Sequence, residues 1–245
     1  VANGRKHAAG GRGKLPRKAR VGRAPTPARA SVKRSAKPTA SPAPTPEVIG
    51  LFRLGVIPGA TPGKWIDAWK ERMPRAPLEL IALDVAAQRA ALDDGRVDAA
   101  LVRVPISAEG LHLISLYDEV AVVVTSIDSS LTVAEELEIS DLAGEVYVVP
   151  EDAALRLDIP GVKAPRFAPP TTTEDAVATV AAGVGFLVVP MSIARLYQRK
   201  DLASRPLRGA GTSTVALAWP AERTTAAVEA FVGIVRGRTA NSSRA

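Results

Sequence analysis

LFRLGVIPGATPGKWIDAWKERMPRAPLELIALDVAAQRAALDDGRVDAALVRV, residues 51–104, switches between two apolar periods. Leu51–Ile57 has the length and composition of a strand, and Pro62–Met73 places Trp65, Ile66, Trp69 and Met73 on one helical face. Thr61 is a candidate N-cap and Pro62 suits a first helical position. Leu78–Leu83 reads as a second strand, Val85–Asp94 as a helix stopped by Gly95, and Ala99–Val104 as a third strand. Strand, helix, strand, helix, strand predicts a parallel sheet with right-handed crossovers.

Downstream, Leu113–Thr125 is a long apolar stretch with a bend expected at Tyr117–Glu119. Asp141–Gly144 reads as a turn and Glu145–Pro150 as a strand. A helix is expected over Thr173–Ala182, a strand over Phe186–Val189 and a short helix over Met191–Tyr197. A strand at Thr214–Trp219 then leads to a closing helix at Thr225–Val235. Its apolar face is Ala227, Val228, Phe231, Ile234 and Val235.

Upstream, the composition changes. Residues 1–46 carry twelve Lys and Arg and no Asp or Glu, which leaves 20 basic against 25 acidic residues in the remainder. The net charge of +7 therefore belongs to the leader, and the rest of the chain is mildly acidic. Leu15 is the one large aliphatic side chain of this leader, too little apolar surface to offset the entropy of ordering it. A disordered basic tail is expected over 1–46, with Lys37–Pro46 an extended spacer.

Composition also sets limits. The 245 residues contain no cysteine, which excludes disulfides and thiolate chemistry, and the two histidines, His7 and His112, cannot make a structural zinc site. Neither a metal nor an organic cofactor is expected. No run of 18 apolar residues exists and no apolar segment follows the charged N-terminus, so a cytoplasmic location is expected. A serine triad would need His112, and no G-x-S-x-G accompanies it. Gly183 and Gly185 follow a helix and precede a strand, the order of a C-cap turn and the reverse of a dinucleotide fingerprint. The chain reads as a binding protein and not as an enzyme.

Four segments, taken in order, resemble the substrate-binding (effector) domain of LysR-type transcription regulators. They are LGVIPGATPG at 54–63, AALDDGRVDAALV at 90–102, the pair 116–125 and 140–150, and TTTEDAVATVAAGVGFLVVP at 171–190. The resemblance covers about residues 51–237. It implies an α/β fold of two Rossmann-like lobes joined by two crossover strands, the type 2 periplasmic-binding-protein arrangement, behind the basic tail. The domain would occupy 47–245, with lobe I at about 51–124 plus 213–237 and lobe II at about 125–212. The crossovers would fall near Thr125 and Thr214. The winged helix-turn-helix of the family has no counterpart in the leader.

In such folds ligands meet the carboxyl ends of strands, where helix N-termini offer free N–H groups to an anion. The candidate contacts are Thr61, Pro62, Gly63 and Lys64 at the first turn, and Arg103, Val104 and Pro105 after the third strand. Thr171 and Thr172 before the lobe II helix and Pro190 after its strand complete the strand-end set. Of these, Thr61 and Thr172, together with Thr125 at the crossover, are also carried over from the resemblance. Other readings stand beside these. Thr61 equally fits a simple helix cap, Thr172 with Asp175 fits a capping box, Thr125 fits an ordinary strand position, and Lys64 and Arg103 fit solvated charges.

The expected partners are a small, anionic effector and, by resemblance, a second copy of the chain; no membrane is expected. Nucleic acid is a further candidate through Arg5, Lys6, Arg12, Lys14, Arg17, Lys18, Arg20 and Arg23, a sequence-independent and salt-dependent contact. The function expected is effector sensing in transcription regulation. A nucleoid-type DNA-binding protein and a transport-type solute-binding protein are the alternatives.

Overall fold

The computed structural model describes residues 50–237. The basic tail and its eight candidate nucleic-acid contacts lie outside the described residues. Strand β1 (Phe52–Val56) pairs in parallel with β2 (Leu78–Ala82) on one side and β3 (Ala99–Arg103) on the other. Helix α1 (Gly63–Arg72) and helix α2 (Gln88–Asp93) make the two crossovers, as the alternation of periods predicted. Val85–Ala87 forms a 3₁₀ turn ahead of α2.

Strand β4 (Leu111–Ser126) is the axis of the molecule. Its first part, through Val120, pairs antiparallel with β8 (Thr212–Pro220), which in turn pairs antiparallel with β3. From Ala121 onward β4 pairs with β6 (Phe186–Pro190) and β7 (Leu202–Arg208). A register shift between Ser115 and Tyr117 bends the strand near the expected place. The change of partners falls at Val120–Ala121, so Thr125 lies inside lobe II and not at the crossover.

Lobe I thus has the strand order β2-β1-β3-β8-β4. One face buries Phe52, Trp69 and Phe231, with Phe52 at 5.0 Å from Trp69 and 5.1 Å from Phe231 between ring centroids. Trp69 and Phe231 come from α1 and α5 (Ala226–Val235), which pack together on this face. Trp69 also donates its indole N–H to Ala76 O at 2.9 Å, so the one polar atom of the ring is matched. The other face packs Ile57, Leu83 and Val97 against α2.

Lobe II is built from β4, β6, β7 and the short β5 (Leu137–Glu138), with α3 (Thr173–Ala181) and α4 (Met191–Leu196). Its sheet buries Val122, Val124, Leu187 and Val189 against α3 on one side and Val123, Phe186 and Val188 on the other. The strand expected at Glu145–Pro150 is reduced to two isolated bridges, Val146 to Lys163 and Tyr147 to Phe186. Both lobes are α/β, and the two long strands β4 and β8 join them. No helix among the described residues is long and apolar enough to cross a membrane.

Candidate functional site between the lobes

The loop that follows β1, Pro58–Pro62, leaves lobe I and meets the first turn of α4 in lobe II. Gly59 sits there with φ +82°, and a Cβ on it would lie 2.4 Å from Ser192 Oγ. A side chain at this position would therefore strain the backbone and push the lobes apart. On one side of this contact lies a cavity of about 30 Å³ between Pro58, Asp84 and Val85 of lobe I and Asp152, Thr173 and Tyr197 of lobe II. That is room for about one water. On the other side lies an open pocket of about 540 Å³, within the range that holds metabolites.

Three segments line this larger pocket. Gly59, Ala60 and Thr61 come from lobe I, Tyr117–Val120 from the bend of β4, and Met191, Ser192, Arg195 and Leu196 from α4. The register shift between Ser115 and Tyr117 lies just before these residues, and β4 passes from lobe I to lobe II just after them, at Val120–Ala121. Both acids of the bend are engaged. Asp118 accepts from Thr214 Oγ1 at 2.6 Å, and Glu119 pairs with Arg103 Nη1 at 2.8 Å. Burial pushes the Tyr117 phenol above its ordinary range, helped by the Glu119 charge; Arg103 and a backbone hydrogen bond from Thr61 pull the other way. The phenol is therefore a neutral hydroxyl at physiological pH. Arg195 is exposed on the lip, and Val120 and Leu196 are half-exposed apolar side chains beside it.

The sequence-predicted contacts are distributed unevenly around this site. Thr61 lines the pocket, but it does not cap α1: Pro62 holds the N-cap position, without a side-chain bond. Gly63 and Lys64 are exposed on the first turn of α1, outside the pocket lining, and Pro62 is buried. Arg103 is no solvated charge; it is 2% exposed, behind the pocket wall. Val104 and Pro105 are exposed past the end of β3. Thr125 is fully buried in lobe II, its hydroxyl donating to Gly185 O at 3.2 Å, so the β-sheet encloses it away from the cleft.

Thr171 and Thr172 are exposed at the start of α3, and Thr172 is committed to its cap. Its Oγ1 accepts from Asp175 N at 3.1 Å and donates to Asp175 Oδ2 at 2.8 Å. Pro190 is buried at the end of β6. Tyr117, Glu119, Ser192 and Arg195 are site residues that sequence reasoning missed. The polar triplet Tyr117-Asp118-Glu119 inside an apolar stretch was the available signal, read only as a bend. Among the described residues no group of three or more His, Asp or Glu could hold a metal ion. His112 is exposed against Trp219, with no part in the pocket.

Fold and site together define a two-lobed α/β binding domain with its pocket at the crossover. The family described as the LysR substrate binding domain matches residues 47–240, and the chain belongs to it. This is the effector-binding part of LysR-type transcription regulators. Among curated relatives, the Hca operon transcriptional activator HcaR of Escherichia coli (strain K12) is 25% identical over 202 residues, 77% of this chain and 68% of HcaR. A probable hydrogen peroxide-inducible genes activator of Mycobacterium xenopi is 34% identical over 73 residues, 29% of this chain and 39% of that protein.

Solved structures share the fold. The oxidised form of OxyR superposes with a TM-score of 0.62 at 21% identity, covering 78% of this chain and 96% of that one. The BenM effector binding domain with its effector benzoate gives 0.63 at 20% identity, covering 81% and 96%.

Proposed function

We propose that the chain senses a small anionic metabolite in the 540 Å³ pocket between its lobes and passes occupancy to transcription through a change in lobe arrangement. The observation that carries this reading is the composition of the pocket wall: both lobes and the strand that joins them contribute. A ligand touching all three segments stabilises one lobe arrangement over others, and that difference in affinity is what a sensor needs. An anion is favoured because the acids of the wall already have partners, whereas Arg195 has none among the described residues and Thr61 offers a hydroxyl. No thiol exists in these 245 residues, so a response by cysteine oxidation is closed to them.

Pairing with a second copy, through a lobe I helix and a lobe II strand, belongs to the same reading, as does a cytoplasmic location beside the chromosome. The twelve basic residues of 1–46 favour an added, sequence-independent contact with nucleic acid, which deletion of that segment would remove while leaving effector binding intact. No catalytic step is assigned.

A thermal-shift screen of the full chain against small carboxylates, benzoate and hexanoate among them, with amines and sugars as controls, tests the reading. A ligand of the folded state raises Tm by mass action. Val120→Trp places a bulky ring on a half-exposed pocket residue and is expected to abolish the shift without unfolding the chain. Equal shifts in wild type and V120W would put binding elsewhere.

A further inference from the structure

Arg103, the last residue of β3, is the one buried side chain among the described residues that carries a charge at neutral pH. Its backbone is clamped by Gln88, whose Nε2 donates to Arg103 O and whose Oε1 accepts from Arg103 N, each at 2.8 Å. Its guanidinium is held at one nitrogen only: Nη1 donates to Glu119 Oε2 at 2.8 Å and to Ser213 Oγ at 2.7 Å. Nε and Nη2 are enclosed and have no acceptor among the described residues. Enclosed N–H groups without acceptors destabilise a fold, and charged ones most of all. Backbone and Nη1 thus fix a rigid, charged donor edge for which this part of the chain supplies nothing.

That edge has a specific chemistry. The Nε–H and one Nη2–H bond of a guanidinium run parallel, and their spacing matches the two oxygens of a carboxylate. Glu119 cannot fill it while its Oε2 serves Nη1. Arg103 stands directly behind residues of the pocket wall. Glu119 and Tyr117 both stand in the pocket wall, the first bonded to Arg103 and the second close enough to feel its charge.

We propose that the Nε–Nη2 edge of Arg103 receives the carboxylate of the effector, which enters past the Tyr117 side chain while its hydrocarbon body rests on Val120, Met191 and Leu196. This rests on the interlobe reading and adds the ligand class, a monocarboxylate with an apolar body. The neighbouring Glu119 charge disfavours a phosphate, which would carry up to two negative charges into the same space.

The test uses the ¹⁵N-labelled full chain, sodium hexanoate as probe, and hexylamine, inorganic phosphate and sodium chloride as controls at matched ionic strength. The Nε–H resonance assigned to Arg103 by its absence in Arg103→Lys is expected to move saturably with hexanoate and not with the controls. By calorimetry, R103K should bind hexanoate at least about tenfold more weakly, since an ammonium cannot reproduce the two-pronged edge. Glu119→Gln removes the competing charge and should strengthen hexanoate binding several-fold, which keeps the test open if R103K does not fold.

Hexanoate binding with the Arg103 resonance unmoved, and with R103K and E119Q affinities within about twofold of wild type, overturns the inference while the interlobe reading stands; water then serves the edge. No heat and no thermal shift with any carboxylate removes both.

Discussion

The two lobes bury comparable apolar faces by different means. Lobe I closes its sheet with three aromatic rings from β1, α1 and α5, and each crossover is a regular helix. Lobe II relies mainly on valines and leucines around one stacked pair, Tyr147 and Phe186, and its segment between the 3₁₀ turn at Ile139–Leu142 and α3 is held by isolated bridges and loop hydrogen bonds. Lobe I is thus a closed frame, and lobe II is a sheet with one long side of irregular backbone. In a sensor the adjustable half is where low local stability is tolerated.

Four substitutions bear on this contrast. The largest effect is expected from Phe231→Ala, which removes the ring touching both Phe52 and Trp69. A loss of about 3–5 kcal/mol in urea unfolding, spread over all of lobe I, is expected. A loss under about 1 kcal/mol would mean that lobe I has no aromatic keystone.

Gly185→Ala attacks lobe II at its tightest point. The residue has φ +61°, and a Cβ would lie 2.0 Å from Val146 O, so the bridge between the 146–148 segment and β6 must part. About 3 kcal/mol is expected, with amide exchange accelerated over 145–165 and little changed in lobe I. Uniform acceleration would erase the distinction between frame and irregular side.

Gly59→Ala probes the seam itself. Its expected cost to stability is smaller, about 1–2 kcal/mol, because the neighbour it meets is a serine hydroxyl and not backbone. Its effect on ligand affinity should exceed that cost in proportion, since the Gly59–Ser192 contact sets the lobe spacing. The smallest effect belongs to Thr172→Ala. Losing the cap of α3 should cost about 1 kcal/mol in thermal or urea unfolding, with ligand affinity unchanged.

The same contrast explains what was legible beforehand. Lobe I follows from hydrophobic period alone: expected and observed elements differ by a residue or two at their ends, as helix and strand ends do, except that the first three residues of the helix expected at Val85–Asp94 form a 3₁₀ turn. Lobe II was harder. Strand β7, Leu-Ala-Ser-Arg-Pro-Leu-Arg, has too few apolar residues and a proline, yet it pairs with β4 across Ser204, Arg205 and Pro206. Conversely Glu145–Pro150 has the apolar content of a strand, and Tyr147 and Val148 are buried, but as packing residues with few ladder partners.

The pocket was legible only in part. Thr61 was found from its place after a strand, whereas Arg195 and Tyr117 meet across a fold that no local pattern specifies. Arg103 was singled out for its position at a strand end, and its burial against Glu119 and Ser213 depends on strands far away in sequence.

The most direct test is the distance between the lobes. Because the chain has no cysteine, Arg75→Cys and Lys200→Cys, both at exposed positions, give one label site in each lobe without background. Electron–electron distance measurement on the doubly labelled chain should give one narrow distribution alone and a second, shifted by several ångströms, with saturating sodium hexanoate. The shift should be absent in V120W. Hexanoate binding that leaves the distribution where it was would contradict the claim that occupancy of this pocket is read out as lobe arrangement.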